Sequence, residues 1–184
     1  MTAPKLVLHP LAPAATLPPA DLAGTLRELG LIGADFPLDG RTHYRTGPGF
    51  LDHISFLGCA PAIELDPPAA GVEAAARAGR FCHIQLPEAG GRTRLRLRPG
   101  QRPRCRGCRR DLDPALIGLP AAACPGCGAG IDPARLNWRQ AGGYAAQFLD
   151  IWGIHTAEAV PGDRLLDRLA GLSGGAWGFF YIED

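Results

Sequence analysis

Two cysteine pairs, Cys105-Arg-Gly-Cys108 and Cys124-Pro-Gly-Cys127, stand with fifteen residues between them, and this spacing constrains the chain more than any other feature. A C-x2-C turn aims two sulfurs at one point, and a connection of this length lets two such turns face each other across a metal ion. Gly107, Gly126 and Gly128 permit backbone conformations that a Cβ would penalise, and Pro125 pre-sets φ in the second turn. The expected centre is Zn2+ held by Cys105, Cys108, Cys124 and Cys127, with iron or a dithiol redox pair as alternatives. Such a site is closed. It organises structure and leaves no open position for a substrate.

Cys124-Pro-Gly-Cys-Gly128 resembles the knuckle found in zinc ribbons and in rubredoxin-like iron sites. The resemblance covers residues 102–131 and implies a structural Zn2+ in a zinc ribbon. Few large apolar residues lie there, Leu112, Leu116, Ile117, Leu119 and Ile131, so burial alone can hardly fold the segment. Metal binding can, being worth about 10–16 kcal/mol in isolated finger peptides. No internal repeat longer than the duplicated knuckle is read from the sequence.

The remainder reads as one α+β core. A chain of 184 residues that is 46% hydrophobic can bury a real core. The expected organisation is a Pro-rich N-terminal arm over 1–20, a core formed by 21–101 and 132–184, and the ribbon inserted at 102–131. Asp21 is placed as the cap of a helix over Leu22–Leu29, Asp39-Gly40 as a turn, Val72–Ala78 as a short helix and Arg80–Leu86 as a strand. Thr93-Arg-Leu-Arg-Leu-Arg98 alternates with period two, the pattern of a strand with Leu95 and Leu97 inward and the arginines outward. Trp138, Tyr144, Phe148 and Trp152 recur at mostly helical spacing, which predicts an amphipathic helix from Asn137 to Trp152. Asp163 is read as the cap of a last helix that ends at Gly174, and Ala176–Ile182 as a final strand. The sheet is expected to be small and antiparallel, because no regular βαβ alternation appears.

Function is approached through charge. Nine arginines and no acid lie between Arg92 and Arg110, against a net charge of +1 for the whole chain. Arg94, Arg96 and Arg98, with Arg102, Arg104 and Arg106, form the candidate partner surface, attractive to an acidic protein or to phosphate. The leading expectation is a zinc-binding adaptor or protein-interaction component rather than an enzyme; nucleic-acid binding is the alternative. A third reading is a Cys/His enzyme built on His53 and Cys59 or on Cys82 and His83, although adjacent strand residues face opposite ways. The two serines, Ser55 and Ser173, lie in no G-x-S-x-G elbow. No apolar run reaches the length of a bilayer span, no secretory signal is read, and cysteines used for metal suit a cytoplasmic location.

Overall fold

The computed structural model describes residues 3–58 and 63–183. Its strands are β1 (Lys5–Pro10), β2 (Ile32–Leu38), β3 (Arg41–Thr46), β4 (Ile54–Phe56), β5 (His83–Gln85), β6 (Arg94–Leu97), β7 (Gly142–Ala145), β8 (Leu149–Trp152), β9 (Ala159–Pro161) and β10 (Trp177–Ile182). Its helices are α1 (Pro19–Glu28), α2 (Phe50–His53), α3 (Val72–Arg77) and α4 (Asp163–Ser173). Six strands lie side by side in the order β10-β1-β8-β5-β3-β2, every neighbouring pair antiparallel. β4 pairs with β9, and β6 with β7. The fold is α+β. Among the described residues, no helix is long and apolar enough to cross a membrane.

Alternation along the strands gives the main sheet two unlike faces. Leu6, Leu8, Ile84, Leu149, Ile151, Trp177 and Tyr181 meet Leu22 and Leu26 of α1, Phe50 of α2, and Leu165 and Leu169 of α4 in the principal core. The opposite face is polar at its centre. There, cross-strand pairing sets Lys5 beside Trp152 beside His83, and Asp150 beside Gln85 beside His43.

Several expected elements form. Asp39 and Gly40, at φ 50° and 75°, make the two-residue turn between β2 and β3, a conformation matching the right-handed twist of the strands. α4 ends at Gly174 with φ 72°, although Asp163 is its first residue rather than its cap. α1 begins with Pro19, and Asp21 lies in its first turn. The strand expected over Arg80–Leu86 contracts to His83–Gln85.

Two expectations are corrected. Residues 5–10 do not form a free arm: β1 is buried along its whole length and bonded to β10 on one side and β8 on the other. Lys5-Leu-Val-Leu-His is short, yet it offers apolar residues to both faces, as an interior strand must. Nor does a helix run from Asn137 to Trp152; that segment holds β7 and β8. Gly142 and Gly143 decide this. A Cβ on Gly142 would lie 2.5 Å from Leu97 Cδ1, and one on Gly143 would lie 2.7 Å from His9 Nε2. The glycines thus let β7 press against β6 and β1, and that close packing overrides the helical period.

Buried imidazoles make the fold acid-sensitive. His9 lies against Phe148 and Phe180, and burial pulls its pKa down to about 4. His83 stacks beside Trp152, and burial, reinforced by the nearby His43, takes it also to about 4. Its Nε2–H donates to the Ala76 carbonyl at 3.4 Å, so its Nδ1 accepts from His43 Nδ1–H at 3.0 Å. The unfolded chain protonates these rings from about pH 6.5 downward, whereas the folded chain resists until about 4. Unfolding therefore takes up protons in that window. Stability is complete above about pH 6.5 and is lost towards pH 4, at up to about 1.4 kcal/mol per pH unit for each ring. Urea denaturation should show roughly 3–4 kcal/mol less stability at pH 5 than at pH 7, and His83→Gln should remove about half of that difference. Equal stabilities at the two pH values would refute the neutral, buried rings.

Candidate metal centre and its basic surroundings

Each C-x2-C segment folds into the same knuckle. Cys105 N–H donates to the Arg110 carbonyl at 3.0 Å, and the Cys105 carbonyl accepts from Arg109 N–H at 2.9 Å. Cys124 repeats this with Ala129 and Gly128 at 2.8 and 2.9 Å. The four sulfurs converge, all within 4.8 Å of one another. Cys105 Sγ lies 3.7 Å from Cys127 Sγ, and Cys108 Sγ lies 3.5 Å from Cys124 Sγ. A tetrahedron with bonds of about 2.3 Å from centre to sulfur has edges of about 3.8 Å, so the donor set fits one tetrahedral ion. Disulfides, at about 2.05 Å, it does not resemble.

The thiols are electrostatically prepared for a cation. Gly126 N–H points at Cys124 Sγ from 3.4 Å and is the main reason this thiol is held down to about 6. The Ala129 amide likewise favours ionised Cys127, but the neighbouring thiols outweigh it and push Cys127 up to about 11. A divalent ion at the centre resolves that conflict. Around the sulfurs, Leu112, Ile117 and Leu136 are buried, and Leu95, Ile131, Trp138 and Tyr144 pack at the edge.

The likeness of the two knuckles extends past the cysteines. A shift of nineteen residues carries Cys105-x-Gly-Cys-x3-Leu-Asp-Pro-Ala115 onto Cys124-x-Gly-Cys-x3-Ile-Asp-Pro-Ala134. Leu112 N–H donates to the Pro103 carbonyl and Ile131 N–H to that of Ala122, at 2.9 and 2.8 Å. Asp113 accepts from the Ala115 amide and Asp132 from that of Ala134, at 2.9 and 3.0 Å, each opening a single 3-10 turn. Backbone bridges Arg104–Asp111 and Ala123–Gly130 complete the correspondence. The fifteen-residue connection is therefore the body of a first repeat rather than a plain excursion. The signal that reveals it is Asp-Pro-Ala at one distance after both cysteine pairs.

The arginines divide into groups. Arg96 does not project outward: Nη1 and Nη2 donate to the two oxygens of Asp150 at 2.6 and 2.9 Å, and the side chain is 17% exposed. Arg94 stacks over Phe148, and Arg98 donates to Thr156 Oγ1 at 3.1 Å. Leu95 packs against the small core of residues 102–138, the metal lobe, while Leu97 stays half-buried. On the lobe, Arg104 pairs with Asp111 at 2.8 Å, and Arg102, Arg106, Arg109 and Arg110 are exposed. Arg104, Arg106, Arg109 and Arg139 share the lining of a cavity of about 630 Å³.

Cys82 and His83 form no reactive pair. Cys82 lies 3.8 Å from the Gly153 carbonyl, and burial raises its thiol to about 12, away from the reactive thiolate. It belongs to the principal core, whereas His83 lies on the polar face. His53 Nε2–H donates to the Leu29 carbonyl at 3.1 Å and ties α2 to the end of α1. Cys59 falls outside the described residues. Sequence reasoning misses the charged cluster of Lys5, Arg96 and Asp150 on the polar sheet face, because Lys5 reads as part of an arm and Asp150 as part of a helix. Comparison with known proteins finds no family model that matches the chain, and no similar curated protein or solved structure.

Proposed function

We propose that Cys105, Cys108, Cys124 and Cys127 hold one structural zinc ion, and that the metal lobe presents a basic surface to an acidic partner protein. The internal repeat carries this reading. Its second copy builds the same knuckle with Pro125, Gly128 and Ala129 where the first has Arg106, Arg109 and Arg110. The knuckle therefore has no need of those arginines. Arg109 even adopts φ 60° where the second copy has Gly128 at 73°, a conformation costing a residue with a Cβ on the order of 1 kcal/mol. Arg110 lies across Gly126 near Cys108 Sγ, where it offsets thiolate charge. Arg102, Arg106 and Arg109 form no ion pair among the described residues.

A protein suits this lobe better than a nucleic acid does. Leu119 is 54% exposed, and protein interfaces combine arginine with apolar contacts. No aromatic residue stands among the nine arginines from Arg92 to Arg110, which counts against recognition of single strands by base stacking.

Changing Arg106 to Gln and Arg109 to Gly makes the first knuckle resemble the second. Zinc content should be unchanged and the melting temperature should not fall, since glycine relieves the strain at position 109, while affinity for poly-glutamate at low salt, read by fluorescence anisotropy, should fall about tenfold or more. Undiminished affinity would overturn the surface. A short DNA duplex tests the alternative: tight binding to it, with a salt slope that drops by about 0.9 for each arginine removed, would make phosphate the target.

A further inference from the structure

Between β6 and the Leu86–Gly91 turn, the polar face of the main sheet opens into a cavity of about 660 Å³, lined in part by Lys5, Gln85, Arg94, Arg96, Asp150 and Trp152. Its floor is buried and charged: Lys5 and Asp150 are 7% and 6% exposed. Lys5 Nζ lies 3.3 Å from Asp150 Oδ2, an oxygen already accepting from Arg96. The ammonium also sits 3.8 Å from the centre of the Trp152 ring. Burying a cation is expensive unless an anion compensates it, and one carboxylate serves two cations here.

The donors exceed the acceptors. Arg96 commits two of its five N–H groups to Asp150, and Arg94, stacked on Phe148 beside it, has no acidic partner among the described residues. The buried indole N–H of Trp152 likewise has no acceptor among them. Arg41 and Glu88 also line the cavity and pair with each other at 3.3 Å, so they add no net charge. Lys5, Arg94 and Arg96 against Asp150 leave two positive charges unmatched. The facing turn packs closely at its end, where a Cβ on Gly91 would collide with the Ala146 carbonyl.

We infer that this cavity binds the phosphate monoester of a small organic molecule, its oxyanion seated among Lys5, Arg94 and Arg96. A monoester is doubly ionised above about pH 6 and matches both unpaired charges, whereas a carboxylate matches one. The arginine fork suits phosphate oxygens, and Asp150 holds Arg96 and Lys5 in position for them. At about 660 Å³ the space exceeds what phosphate alone fills and lies within the range of small-molecule sites. The organic part then extends along Gln85 and the Leu86–Gly91 turn. The inference is independent of the metal lobe and its partner.

Titration of the zinc-loaded, full-length protein with inorganic phosphate at about pH 8 and fixed ionic strength, followed by 31P NMR, should show saturable binding at one site. Arg94→Gln should weaken it about tenfold or more, while Arg106→Gln on the metal lobe should leave it unchanged. Because Arg94 is exposed, its replacement leaves the fold intact, which circular dichroism checks. Acetate should bind about tenfold more weakly than phosphate. Absence of saturation, undiminished affinity in Arg94→Gln, an equal loss in Arg106→Gln, or acetate binding as tightly as phosphate would each overturn the assignment.

Discussion

Replacing Cys124 with serine should release the metal and unfold residues 102–138 while the six-stranded sheet persists. Binding of a structural zinc is worth about 10–16 kcal/mol in isolated fingers, more than most domains have to lose. The lobe cannot replace it, because its buried apolar side chains besides the cysteines are Leu112, Ile117 and Leu136. Disorder should stop at β6 and β7, where Leu95 and Tyr144 join the lobe's core. Mass spectrometry should find the zinc gone, and amide exchange should accelerate across the lobe but not in β1, β8 or β10. Since Cys105 occupies the equivalent place in the first repeat, Cys105→Ser should give the same result. Loss of protection throughout the chain would instead make lobe and sheet one cooperative unit.

Deletion of residues 176–184 should yield insoluble protein. β10 pairs with β1 along that strand's entire length, and Trp177, Phe180 and Tyr181 are 5%, 0% and 2% exposed. Burying each side chain is worth about 1.5–3 kcal/mol, which together rivals the stability of a whole domain. The Tyr181 hydroxyl also donates to the Ala159 carbonyl at 2.7 Å, tying the sheet to β9. Without β10, the bare edge of β1 is open to pairing with other chains. A soluble truncated protein that melts cooperatively near the full-length temperature would exclude this role.

What the sequence disclosed was local. Cysteine spacing brought four thiols together, Asp39-Gly40 placed a hairpin, and the apolar run Trp177–Ile182 marked a strand covered on both faces. Each depends on residues near one another in the chain. The failures share the opposite cause. Trp138, Phe148 and Trp152 keep a helical period, but they join the metal lobe, the Val7–Phe180 cluster and the polar sheet face respectively. Their spacing therefore reflects three separate destinations. Arg96 looks solvated until the fold sets Asp150 opposite it. The repeat in the lobe was within reach of the sequence, yet visible only on comparing the residues after the cysteines as well as the cysteines themselves.

The place of β1 in the sheet governs the order in which this protein can be assembled. Lys5 pairs with Trp152 on one side and with Ile182 on the other, so β1 meets its strand neighbours only after the residues of β8 and β10 have been made. Until then Leu6, Val7 and Leu8 lack their strand neighbours, and the lobe around the four cysteines, whose contacts are local, can close first. Closure of the sheet then bears the loop entropy of the whole stretch between β1 and β10, which places it among slow, high-contact-order topologies. An apolar interior strand left unpaired over that interval is surface of the kind chaperones shield.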